Sequence, residues 1–449
     1  MSGLLQAWSR TAKADGGATA LVDAADGRTW TRRDLDDLAS AWAAEHGHLV
    51  RGRVVLFAEP NGAGWLRVFL GLVKSGAIAA SIEPGEPPDA RERIVRGIRA
   101  SFLWSGGRLA PAGAAGRPCR DDRRVLKLTS GSTGAPKGVA FTDSQLLADA
   151  RQVCAAMRLR RTDVNFGLIP FGHSYGLGNI VLPLISRGMA VVCGTAALPH
   201  AVASEIERWR PSVLPSVPAL LRAMSEADIP AVKLRSLRTV ISAGAPLSPE
   251  TAQAFRARYG LRIHNFYGSS ETGGIAYDGT GDAALLGRGV GRPLGGVRLS
   301  FGTGNRFTVE SAAVYTLGNP SVPGPGGRGR HRPADLGRLD DGGGLVLIGR
   351  SGRMLKIGAR RLDPAEVERA LRRIPGVRDA LVARHPKRPD ALAALVGGSL
   401  SAEDMRRELR GALAQWKIPK RLVVVPEFPL TPRGKPDRVR IQALLGGSA

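Results

Sequence analysis

Cysteine is scarce, with three in 449 residues, Cys119, Cys154 and Cys193. An odd count without CxxC spacing excludes a disulfide framework or a zinc ribbon, and leaves reduced core thiols in a cytoplasmic protein as the expectation. Long apolar runs are lacking too. The greasiest stretch, Leu177 to Leu198, is broken by Arg187 and several glycines, short of the roughly 20 apolar residues a membrane helix needs. A buried helix and strand are expected there, and no membrane span. The first residues, MSGLLQAWSRTAKADGG, lack a basic start followed by an apolar core, so no secretory signal is expected. Acidic residues are few, 39 against 64 Lys and Arg, for a formal net charge of +25. Such a balance attracts polyanions (nucleotide phosphates, nucleic acid, anionic lipid or an acidic protein) or is a solvated basic surface. No Lys/Arg block dominates and no nucleic-acid-binding signature occurs, so nucleic acid is not an expected partner.

What is present is an ordinary globular composition, 43% hydrophobic and 5% aromatic, in a chain long enough to bury a sizeable core. Short apolar runs alternate with helical patterns. Leu35 to Trp42 and Trp65 to Val73 read as helices; Val54–Phe57, Ala77–Ile82, Val164–Leu168, Ala190–Cys193, Ser212–Leu214 and Thr239–Ser242 read as buried strands. That rhythm predicts layered α/β structure with mainly parallel sheets. Residues 302–345 are glycine-rich, and Pro323 to Gly329 reads as a loop. After the strand-like Leu345–Ile348 the pattern becomes a compact α+β unit. Asp363–Pro364–Ala365–Glu366 is a helix start with a cap, a proline at the first position and a glutamate able to reach back. Ser401–Asp404 opens a second helix in the same way, and Ala380–Ala383, Leu392–Val396 and Leu422–Val425 are strands. The expected division is a large domain over residues 1–349 and a small, mobile α+β domain over 350–449.

The strongest motif is the run from Leu128 to Val139, LTSGSTGAPKGV. Gly131, Gly134 and Gly138, the hydroxyls of Thr129, Ser130, Ser132 and Thr133, and Lys137 follow the apolar run Val125–Leu128. Glycines let backbone N–H groups approach phosphate oxygens, hydroxyls donate further bonds, and the lysine supplies charge. It is not a Walker A loop, because Pro136 precedes the lysine and Gly138 follows where Ser or Thr should sit. A plain Gly/Ser surface turn is the other reading of this segment alone.

Here the chain resembles the adenylate-forming superfamily of acyl-CoA synthetases, peptide-synthetase adenylation domains and firefly luciferase. Further motifs follow in the family's order across nearly the whole chain. Pro170–Gly176 resembles the segment beside the activated carboxylate, where the resemblance makes His173 a gate to the acyl pocket. The segment holds no acid to pair an α-ammonium, so a fatty, aryl or other non-amino acid is expected. Ser242–Pro246 resembles the turn whose Gly244, Ala245 and Pro246 line the adenine. Asn265–Thr272 resembles the Y-G-x-T-E motif: Tyr267 would stack on adenine, Gly268, Ser269 and Ser270 would border the phosphates, and Glu271 would hold Mg²⁺. Ser270 stands where the family has threonine and keeps the hydroxyl.

By the same resemblance Asp335 grips the ribose hydroxyls, although Pro333–Ala334 replace the usual Thr-Gly before it. Arg350 contacts ribose or phosphate, Gly352 stands at the hinge, and Gly358 lets a thiol arm pass close to the backbone. Pro429–Lys435 fits the terminal P-x-x-x-x-G-K motif, in which Lys435 bridges carboxylate and α-phosphate. The implied catalytic set is Lys435, His173 and Glu271. The implied cofactors are ATP, Mg²⁺ and either coenzyme A or phosphopantetheine as acceptor, and the substrate is a small-molecule carboxylic acid. An acidic acyl carrier protein is an alternative partner, because 21 Lys and Arg stand against 10 Asp and Glu after Arg350. A rival of another class is a nucleotide-binding protein that has lost catalysis on this fold, suggested only by the departures at Pro333–Ala334 and Gly352.

Overall fold

The computed structural model describes residues 3–113, 122–129, 137–315, 329–350, 355–357, 360–431 and 436–447. Contacts gather the chain into two compact units. One comprises Met1–Ser300, Thr308–Arg332 and Asp340–Leu345; the other comprises Phe301–Phe307, Pro333–Leu339 and Val346–Ala449. The sequence break falls near Arg350, whereas segments upstream of it group with the C-terminal unit. The cause is backbone pairing: Asp335–Leu339 lies beside Leu345–Arg350, and Arg306 bridges to Leu336.

The first unit holds two large sheets. In the six-stranded sheet, Phe102–Ser105, Val54–Ala58, Ile78–Ile82 and Arg123–Thr129 run parallel in that order. Antiparallel strands Arg108–Pro111 and Lys137–Thr142 close its two ends. Every residue of Val54–Ala58 is buried, as expected of a parallel strand covered on both faces. In the nine-stranded sheet a parallel centre joins Ile263–Ser269, Thr239–Ser242, Val213–Ser216, Val164–Phe166, Ala190–Cys193 and Thr19–Asp23. Antiparallel edges are Gly273–Tyr277 with Arg292–Pro293 on one side and Thr29–Thr31 on the other. The stretch from Leu177 forms a π-helical turn Leu177–Val181, the helix Leu182–Arg187 and the strand Ala190–Cys193, all largely buried.

Helix starts follow local chemistry. Thr142 and Gln145 cap the helix Asp143–Ala156 reciprocally: Gln145 Oε1 accepts from Thr142 N at 2.9 Å, and Thr142 Oγ1 accepts from Gln145 N at 3.4 Å. Gln145 Nε2 also donates to the Val314 carbonyl at 3.1 Å, so this cap pins the helix to a distant loop.

The second unit is α+β. Val377–His385 pairs antiparallel with Arg388–Gly398, which pairs parallel with Arg421–Val425. Its core gathers Val367, Leu371, Leu392, Val396, Met405 and Leu409. Asp363 caps Pro364–Arg372 by accepting from Ala365 N at 3.0 Å. Glu366, expected to reach back to that cap, pairs with Lys417 Nζ at 2.5 Å, a stronger charged partner. Ser401 caps Ala402–Ala412 as expected, accepting from Asp404 N at 3.1 Å. Within 302–345 short strands form at Phe307–Glu310, Arg330–His331 and Asp335–Leu339, while residues 323–328 of the expected loop lie outside the described residues. Among the described residues no helix is long and apolar enough to cross a membrane. Cys154 and Cys193 are free and buried, and Cys119 lies outside the described residues.

Candidate active site

The phosphate-loop motif sits on a hairpin. Arg123–Thr129 and Lys137–Thr142 pair antiparallel with Thr129 opposite Lys137, so residues 130–136 connect two strands held in register. Ser130, Gly131, Ser132, Thr133 and Gly134 lie outside the described residues, as do the side chains of Thr129 and Lys137.

In the nine-stranded sheet Ser242 pairs in parallel with Asn265. Gly244–Pro246 therefore follows the carboxyl end of one parallel strand while its neighbour runs on through Tyr267, the carboxyl-end region where open α/β sheets bind ligands. Gly244 takes φ of 87°, a left-handed turn that glycine makes at no steric cost. Ile263–Ser269 and Gly273–Tyr277 form an antiparallel hairpin, with a register shift between Tyr267 and Gly268 that re-aims the strand. At its tip Ser269 N and Oγ both meet Thr272 Oγ1, at 3.3 and 3.1 Å. Thr272 is buried while Glu271 and Tyr267 are half-buried, so the turn holds itself from inside and presents the glutamate.

His173 caps the short helical turn Ser174–Gly176, its Nδ1 accepting from Tyr175 N at 3.3 Å. Ser174 Oγ donates to Ser270 Oγ at 3.0 Å, joining the expected acyl segment to the Glu271 turn. Tyr175 is buried behind them; its hydroxyl accepts from Ser216 N at 3.1 Å, and burial pushes its pKa up. A residue the sequence reading missed, Asn61, braces this segment. Its amide donates to the carbonyls of Gly167 and Ile169 at 3.1 and 2.9 Å, and its oxygen accepts from Phe171 N at 2.8 Å. Gly172 lies against Ser81, with no room for a side chain.

Around Glu271 are groups the motifs do not include. Tyr315 N donates to the Glu271 carbonyl at 3.2 Å, and Tyr315 meets the His331 ring edge-on at 5.8 Å. Burial lowers the His331 pKa, opposed by the Glu271 charge; burial and then Glu271 raise that of Tyr315. Beneath lies a buried charge pair, Lys127 Nζ at 4.0 Å from Asp149 Oδ2. Burial drives Lys127 down and Asp149 up, each partner opposing the shift of the other, with Glu271 also supporting the ammonium. Its sequence signal was available: a lysine inside the apolar run Val125–Leu128 needs a partner.

In the second unit Asp335 Oδ1 lies 3.5 Å from Arg350 Nε, both reachable from solvent. Gly352, Gly358 and Lys435 lie outside the described residues.

Set against known proteins, residues 110–301 match the family described as AMP-binding enzyme, and residues 366–435 match the AMP-binding enzyme C-terminal domain. The chain is 30% identical over 349 residues to the benzoate–CoA ligase of Thauera aromatica, a match spanning 72% of this chain and 66% of that protein. It is 26% identical to the anthranilate–CoA ligase of Pseudomonas aeruginosa, over 93% of this chain and 92% of that one. Among solved structures, ATP-bound MatB from Rhodopseudomonas palustris superposes with a TM-score of 0.85 at 19% identity, covering 100% of both chains. That likeness establishes the layered α/β fold with its smaller C-terminal domain.

Proposed function

The chain belongs to the adenylate-forming family of AMP-binding enzymes, and from that premise we propose that it activates a non-amino carboxylic acid as acyl-AMP and passes the acyl group to the thiol of coenzyme A. The observation carrying this reading is the 3.0 Å contact between Ser174 and Ser270, which brings the acyl segment against the turn bearing Glu271. An aromatic acid is the favoured substrate, since two relatives are named for benzoate and anthranilate. The absence of an acid in Pro170–Gly176 fits a substrate without an α-ammonium.

In the first half-reaction a carboxylate oxygen bonds to the α-phosphorus of ATP as the bond to pyrophosphate breaks. The residues position and neutralise rather than attack. Tyr267 offers a flat, half-exposed face to the adenine beside Gly244–Pro246, and the hydroxyls of Ser269 and Ser270 border the phosphates. Glu271, a hard oxygen donor at a turn tip, fits magnesium, which favours one or two carboxylates together with substrate phosphates. Held there, the ion would supply charge neutralisation of the polyphosphate. Asp335 and Arg350 serve the ribose and its phosphate, and Lys435 offsets charge on the reacting oxygens. In the second half-reaction the thiolate sulfur bonds to the acyl carbon and AMP leaves. Lys435 serves the first half-reaction and Gly358 the second. A carrier-borne phosphopantetheine is the second acceptor to test.

ATP–pyrophosphate exchange across aromatic, fatty and amino acids, with Lys435→Ala as control, tests the reading. Exchange with aromatic acids is expected, falling about 100- to 1,000-fold in the variant. Tight ATP binding without exchange with any acid would leave only a nucleotide-binding protein.

A further inference from the structure

Among the described residues Lys127 and Asp149 form the most deeply buried pair of opposite charges near the site, at 2% and 3% exposure. We propose that Asp149, with Lys127 as its counter-charge, is the positioning element of adenylation, its acceptor oxygen fixing the Glu271 turn against the strand that feeds the phosphate loop and against the acyl segment. The proposal rests on the adenylation reading.

Three segments converge on one carboxylate. Lys127, in Arg123–Thr129, lies over the Phe141 ring at 4.2 Å and reaches Asp149 Oδ2 at 4.0 Å. Asp149 Oδ1 accepts from Gly274 N at 2.9 Å, three residues after Glu271. Gly273, at φ of 69°, is pressed so closely on Asp149 that no side chain fits. On the other side a Cβ at Gly178 would stand 3.2 Å from Asp149 Oδ2, placing the turn after His173–Gly176 on the same carboxylate. The helix Asp143–Ala156 that carries Asp149 is itself pinned through Gln145.

Stability does not explain the pair. Its charges are stripped of water yet stand beyond hydrogen-bond distance of each other, and a neutral pair of similar volume that keeps an acceptor for Gly274 N would hold the fold at least as well. What a carboxylate adds is a directional acceptor for Gly274 N and a counter-charge that keeps Lys127 from drawing Glu271 inward.

Two double variants separate the roles. Lys127→Met/Asp149→Asn keeps an oxygen for Gly274 N; Lys127→Met/Asp149→Leu removes it. Each is checked by thermal unfolding, then by kcat and KM for ATP in exchange. Each is also checked by Mn²⁺ affinity in the complex with a non-hydrolysable ATP analogue, read by electron paramagnetic resonance. The asparagine variant should stay near wild type. The leucine variant, which leaves the buried Gly274 N without an acceptor, should melt earlier and, per folded molecule, lose about 10- to 100-fold in kcat and in Mn²⁺ affinity. Should it fail to fold, Lys127→Met/Asp149→Ala, which also lacks the acceptor, takes its place with the same expectation. Equal kcat, KM and Mn²⁺ affinity in variants with and without the acceptor would overturn the proposal. A wild type that shows no exchange would defeat the adenylation reading instead, while Mn²⁺ affinity would still rank the variants.

Discussion

Asp149 and Asp163 belong to the same unit and are almost equally buried, at 3% and 5% exposure, yet their surroundings act in opposite directions. Asp163 is saturated. Arg238 donates to both its oxygens at 2.5 and 3.3 Å, Arg160 N at 2.6 Å and Ser212 Oγ at 2.8 Å. Burial alone would raise its pKa, but these donors outweigh it and hold the carboxyl below its ordinary value. Asp149 has one backbone donor and a lysine at 4.0 Å, so burial wins and its pKa rises. The first carboxylate is a brace that ties a loop to two strand ends. The second is under-compensated, and it lies beneath the Glu271 turn. A buried charge left short of partners marks where positioning, rather than stability, decides the residue.

That contrast can be broken most forcefully at Asp149. Asp149→Ala leaves Lys127 buried without its partner and should cost about 3–5 kcal/mol, measured by denaturant unfolding. Asp163→Ala should cost about 1–3 kcal/mol, because Arg238 can turn to water, and exchange activity per folded molecule should not change. A loss of activity at Asp163 larger than at Asp149 would dissolve the distinction.

Acid sharpens it further. Because the folded pKa of Asp163 lies below the ordinary 3.8, its contribution is complete above that value and is lost as pH falls through the folded one. Wild-type stability should therefore drop below about pH 4, and Asp163→Asn should flatten that limb in unfolding measured against pH. The smallest effect concerns thiols. Burial pushes Cys154 up to about 11 and Cys193 higher still, so alkylation of these two thiols at pH 8, located by peptide mapping, should proceed only at the rate of unfolding.

The layered fold was legible because its parallel strands are short apolar runs. Ala190–Cys193 and Thr239–Ser242 form with the expected bounds. The Asp363 and Ser401 caps were legible because capping is local. Lys127, Asp149 and Asn61 were missed because their meaning is long-range: Asn61 acts on carbonyls more than a hundred residues away. The grouping of Asp335 with the C-terminal unit depends on pairing across a glycine-rich stretch with no periodicity to read. The candidate site was named from motif order, by resemblance rather than by a local pattern. Gly244 follows one strand, Tyr267 lies in the strand beside it and Glu271 lies in that strand's hairpin turn, while Lys435 and residues 130–136 lie outside the described residues.

The central claim, attack of a carboxylate on the α-phosphorus, is tested most directly by isotope transfer. Turnover of an aromatic acid labelled with ¹⁸O in its carboxylate, with ATP and coenzyme A, is followed by mass spectrometry of the nucleotide product. Adenylation predicts AMP carrying a single ¹⁸O; unlabelled AMP, or ADP in its place, would contradict it.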